Sequence, residues 1–220
     1  GSIKLKDSVE LKINVARRNN TRAYHSATHL LHASLRRILG THVTQKGSLV
    51  EPNRLRFDFS HMRPLLSEEI YHIESFVNTM VLKKSDVRTR LMTPNEAVDN
   101  GALALFGEKY GEEVRVLSMG DEGGKYFSTE LCGGTHVKNT GDIGKFKIIS
   151  QSSIAAGVRR IEALRDRQLE DYLKNKEKLS NISSKKNDEI IKDLSKQIIN
   201  LGSTPTIEEI DQKTLIKDLS

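Results

Sequence analysis

Tryptophan is missing from the 220 residues, and cysteine, proline and methionine are scarce at one, four and four. With Cys132 as its lone cysteine the chain cannot be a disulfide scaffold, and a reducing compartment, the cytoplasm, is the default expectation. No stretch approaches the ~20 consecutive apolar residues that a bilayer span requires, so no membrane partner is expected. Internal repeats of useful period are also lacking. What is present is an ordinary globular balance of 36 % hydrophobic and 29 % charged residues, which excludes disorder throughout. The 35 basic residues exceed the 29 acidic ones by 6, a surplus that permits an anionic partner without requiring one.

Pattern divides the chain into zones. Val9, Leu11, Ile13 and Val15 alternate and predict a half-buried strand. Asn19-Asn20-Thr21 is a helix-start cluster. Leu31, Leu35, Ile38 and Leu39 then recur at helical spacing up to Gly40, a natural stop. Leu55, Phe57 and Phe59 alternate with Arg54, Arg56 and Asp58, which predicts a strand joined through Glu51-Pro52-Asn53 to another near Leu49-Val50. A second helix is expected over 67–83. Strands are expected at 87–91, 114–117 and 144–149, and Thr93-Pro94-Asn95-Glu96 has the form of a capping box that opens a short helix. Glycine then vanishes between Arg165 and Gly202. Leu169, Leu173 and Ile182 mark one helix there, and Ile190, Leu194 and Ile198 another. The polar break Ser183-Ser184-Lys185 predicts an antiparallel helical hairpin between them.

The chemistry concentrates in two short motifs. His25 and His29 stand four apart, so on a helix both imidazoles reach one ion. His32 sits on a neighbouring face. Cys132-Gly133-Gly134-Thr135-His136 offers a soft thiolate and an imidazole, with glycines that let the backbone fold tightly between them. Each pair alone has an ordinary reading, as surface or core histidines and as a buried free thiol. Together they supply the four N/S ligands that tetrahedral zinc requires. A thermolysin-like peptidase is excluded, because Ser26 stands where that motif needs a glutamate. A zinc finger is excluded by the hundred residues separating the pairs.

Three stretches carry a family resemblance. They are RAYHSATHLLHASLRRILGTHVTQKGSLVEPNRLRFDFSH from Arg22, GALALFGEKYGEEVRVLSMG from Gly101, and STELCGGTHVKNTGDIGKFKIISQSSIAAGVRRIEAL from Ser128. Over 22–164 the chain resembles the editing domain of alanyl-tRNA synthetase. Free-standing alanyl-tRNA editing proteins and the threonyl-tRNA synthetase editing domain are similar through the histidine-bearing motifs. The resemblance implies an α+β fold, with a mainly antiparallel sheet packed against the histidine-bearing helix and the 67–83 helix. It divides the chain into an editing domain at 3–164, a helical hairpin linker at 165–201, and the start of a C-terminal region at 202–220. No aminoacylation domain is recognisable, so the chain is expected to edit tRNA rather than charge it with alanine.

The activity implied is zinc-dependent hydrolysis of seryl- and glycyl-tRNA(Ala), with the acceptor end of tRNA(Ala) as partner. A second, hydrolytic site makes physical sense, because one hydroxyl or methyl is worth only ~10–200-fold in binding discrimination. The resemblance assigns one zinc to His25, His29, Cys132 and His136. It makes Thr28 a reader of the serine hydroxyl and places Gln45 and Ser48 in the pocket; the ordinary alternatives are back-bonding of Thr28 to its own helix and turn capping by the other two. Arg54, Arg56, Arg63, Lys145, Lys147, Arg159, Arg160 and Arg165 are candidates to steer the acceptor stem, about half of them by phosphate contacts. An autonomous trans-editing protein and a non-catalytic tRNA-binding module with a structural zinc remain as alternatives.

Overall fold

A computed structural model describes residues 2, 4–103 and 111–201. The expected C-terminal region at 202–220 and the central part of the Gly101–Gly120 stretch lie outside the described residues. The chain divides between Asp171 and Tyr172 into two compact units.

The first unit is built around α1 (Val15–Leu39). Asn14 caps it, its Oδ1 accepting the Arg17 N–H at 2.9 Å. The helix therefore starts five residues before the expected Asn19-Asn20-Thr21 cluster, whose residues ride in its first turns instead. Asparagine is only weakly unfavourable inside a helix, so the earlier cap decides. The end is where the sequence places it. Gly40 adopts φ 113°, a conformation costly to other residues, and its N–H donates to the Arg36 carbonyl. Between Ala23 and Leu35 nearly every side chain of α1 is buried, on all sides of the helix.

Two antiparallel sheets and further helices enclose it, where the sequence predicted a single sheet. The first sheet has order β1-β2-β7-β6, with β1 (Gln45–Val50), β2 (Leu55–Ser60), β6 (Phe146–Ala155) and β7 (Val158–Arg165). The second has order β3-β4-β5, with β3 (Arg88–Met92), β4 (Val114–Asp121) and β5 (Tyr126–Leu131). Helix α2 (Ser67–Leu82) and the short α3 (Pro94–Asp99) match the expected helices, and Thr93 and Glu96 make the expected capping box. The main core joins α1, α2 and both sheets through Leu30, Leu31, Leu35, Phe57, Ile73, Met80, Met119 and Phe146, all fully buried. Each such side chain contributes roughly 1.5–3 kcal/mol on leaving water.

The strand expected over Val9–Val15 does not form. Residues 9–14 run without regular structure, Val15 opens α1, and Val9 and Leu11 are 55 % and 90 % exposed. Alternation supports a strand only where a sheet edge accepts it, and among the described residues none does. The C-terminal hairpin is also corrected. A single helix, α4 (Asp166–Asn200), continues through Ser183-Ser184-Lys185. Serine and lysine lack the backbone constraint of proline or the freedom of glycine, so a polar cluster alone does not break a helix.

Candidate metal centre

The expected convergence takes place. One ligand atom from each of His25, His29, Cys132 and His136 lies within 4.8 Å of all the others. The first two come from α1, and the second two flank the turn after β5. His136 Nε2 lies 3.3 Å and His25 Nε2 3.6 Å from Cys132 Sγ. A thiolate and an imidazole on one tetrahedral zinc, at the usual bond lengths, stand about 3.6 Å apart. His29 Nε2 is buried with no hydrogen-bond partner. An orphaned buried ring nitrogen inside a three-nitrogen, one-sulfur set is what a metal would satisfy, and so the donors fit.

The far side of the rings is also built. His29 Nδ1 meets Glu130 Oε2 at 2.7 Å. His136 Nδ1 lies 3.3 Å from Ser26 Oγ, which in turn accepts the Val137 N–H at 3.1 Å. Both imidazoles thus keep Nε2 for the centre. Gly134 passes so close to His25 that a Cβ would overlap its ring, whereas Gly133 has open space around it. Of the two glycines, only the second is required for clearance. Arg115 grips the turn through the Gly134 carbonyl, and Arg22 Nε donates to Thr135 Oγ1 at 2.9 Å.

Electrostatics follow from this crowding. Burial pushes the Cys132 thiol up, but the imidazoles of His136, His25 and His29 outweigh it and bring the thiol down to about 3. The metal-ligating thiolate therefore prevails at neutral pH. Burial opposes charge on His29, and the Glu130 carboxylate overrides it, raising the imidazole to about 10. His29 in turn holds Glu130 well below the usual carboxylate range despite its burial. For His136 burial dominates and lowers the imidazole.

The remaining candidates make local hydrogen bonds. Thr28 is buried and its hydroxyl donates to the Tyr24 carbonyl at 2.9 Å, back-bonded to its own helix. Gln45 and Ser48 lie on β1, where the Gln45 amide approaches Ser48 Oγ at 3.4 Å beside a register shift between Gln45 and Gly47. Glu130 escaped the sequence reading. Its position two before Cys132 is the available signal, since residues i and i+2 of a strand share a face.

Residues 114–162, which include both Cys132 and His136, match the family model described as the threonyl and alanyl tRNA synthetase second additional domain. An alanine–tRNA ligase of Parvibaculum lavamentivorans is 60 % identical over 177 residues, covering 79 % of this chain and 20 % of that protein. An alanine–tRNA ligase of Chelativorans sp. is 54 % identical over 183 residues, covering 81 % and 21 %. The chain thus spans about a fifth of the length of these relatives. Among the described residues, no helix is long and apolar enough to cross a membrane. The expected α+β class is borne out: antiparallel sheets pack with helices, and the candidate centre lies between α1 and the turn after β5.

Proposed function

We propose that the domain hydrolyses seryl- and glycyl-tRNA(Ala) in the cytoplasm, clearing the acceptor end of tRNA mischarged by an alanine–tRNA ligase. The convergence of His25, His29, Cys132 and His136 within a domain of the alanyl and threonyl synthetase type carries this reading. These four residues would hold one zinc ion, which supplies positive charge that polarises or anchors a substrate group when bound. His29 and His136 offer Nε2 because Glu130 and Ser26 occupy their other nitrogens. Gln45 and Ser48, on the β1 edge, orient the ester and read the amino-acid side chain. Thr28 keeps a lone pair free while donating to Tyr24, and so can accept from the serine hydroxyl. Alanine would leave such a partner unpaired, at about 1–3 kcal/mol.

A second reading has its own support. Four protein donors fill a tetrahedron, the usual arrangement of a structural ion, so the domain would bind the acceptor end without cleaving it. Metal analysis of the purified protein alongside release of serine from seryl-tRNA(Ala) separates the two. The editing reading expects about one zinc per chain and hydrolysis that falls at least tenfold in both Cys132→Ala and Gln45→Ala. Metal-loaded protein that releases no serine supports the binding module instead.

A further inference from the structure

Glu130 is a carboxylate on β5 that is only 7 % exposed, and both of its oxygens are engaged. Oε2 lies 2.7 Å from His29 Nδ1. Oε1 accepts from Ser128 Oγ at 3.4 Å and lies 3.3 Å from His32 Nδ1, on a ring that is itself 1 % exposed. A charge so deeply buried is costly unless its partners use it. The partner that uses it is His29. An imidazole whose Nδ1–H donates to a carboxylate presents its lone pair at Nε2 and cannot rotate without breaking that bond. His29 Nε2 is the one nitrogen of the four-residue cluster that is buried without a hydrogen-bond partner.

We propose that Glu130 is the positioning residue of the metal centre: through Nδ1 it fixes the orientation and tautomer in which His29 offers Nε2 to the ion. Ser128 donates to the other carboxylate oxygen, and His32 Nδ1 lies 3.3 Å from it without a hydrogen bond. His32, three residues after His29 and outside the cluster of four, lies beside Glu130 and not among the candidate ligands. The inference rests on the metal reading above and adds a residue outside the ligand set.

The test is zinc affinity measured by competition with a chromophoric chelator, paired with thermal melting of the metal-free protein. Glu130→Gln preserves size and an acceptor oxygen but removes the charge and scrambles the tautomer preference. It is expected to weaken zinc binding by about 10–100-fold. In nitrogen-15 spectra of the zinc-loaded wild type, the His29 Nδ1 is expected to carry the proton. Glu122→Gln, which removes a carboxylate paired with Arg37 at the surface, serves as control and is expected to leave affinity unchanged. Zinc affinity within twofold of wild type in Glu130→Gln overturns the proposal, as does a lowered melting temperature of the metal-free protein with unaltered affinity. A wild-type protein that takes up no zinc instead overturns the metal reading itself, a distinguishable result.

Discussion

Gly134 is held where no side chain fits, because its Cα faces the His25 ring. Gly134→Ala must push either the turn or the imidazole aside, and overpacking of this kind costs about 1–3 kcal/mol. The expected outcome is a lower melting temperature in the metal-free protein and zinc affinity reduced by tenfold or more, both read in one calorimetric and chelator series. Gly133→Ala, in open space, is expected to change neither beyond the small cost of a stiffer turn. The candidate ligands were legible because histidine and cysteine at set spacings have few uses. Glu130 was not, since a single acid beside apolar neighbours carries no mark of burial. Thr28 shows the converse: its position between two histidines is conspicuous in the sequence, yet its donor bond goes to Tyr24.

Among the elements, α2 shows how a helix start is tied to pH. Glu69 accepts the Leu66 N–H at 2.8 Å and pairs with both terminal nitrogens of Arg63. The Arg63 hydrogen bonds, assisted by the Leu66 N–H, hold the Glu69 carboxyl at about 2 in the folded protein. The unfolded chain protonates it near the ordinary value of about 4.5. Its stabilising effect is therefore complete above about pH 4.5 and lost as pH falls toward 2. Glu69→Gln is expected to flatten that part of the acid limb of a stability–pH curve, with little change in its slope above pH 6. For α4, Ser184→Pro distinguishes one helix from two. A proline inside a continuous helix costs ~3 kcal/mol or more and should visibly lower the helical circular dichroism, whereas a hairpin turn at that place would accept it. Strands β5 and β7 were the hardest to read. The inward face of β5 carries Ser128 and Glu130, which inverts the apolar alternation that marks a strand, and in β7 Arg159 and Arg165 flank Ile161 and Ala163 on the buried face and interrupt it. In β5 the inversion is the site itself, where function overrides local pattern.

For the whole molecule, the surplus of positive charge overstates what is available to RNA. Arg160 grips Asp58 with two bonds, Arg63 pairs with Glu69, Arg54 with Glu51 and Glu162, and Lys147 with Glu74. Arg165 is 5 % exposed and reaches the Ile143 and Asp142 carbonyls. Of the basic residues singled out from the sequence, most are thus engaged within the fold. Binding of tRNA(Ala) to this chain is expected to be weak and to release few counterions. In filter binding, the plot of log affinity against log salt should be shallower than about −2, corresponding to roughly two phosphates. A slope near −6 would show a basic face that these pairings conceal. Composition alone could not foretell this, because it counts charges without their partners. The α+β class and the strand–turn–strand of β1 and β2 were legible, since burial of Leu55, Phe57 and Phe59 depends on period alone.

The enclosure of α1 on all sides has a kinetic consequence. Amide protons between Ala23 and Leu35 should be among the slowest to exchange, because releasing that helix means dismantling both sheets around it. Two of the four donors are thereby rooted in the most durable part of the protein. An ion held there is expected to enter and leave by loosening of the Cys132–His136 side, with that short loop as the door and the helix as its fixed frame.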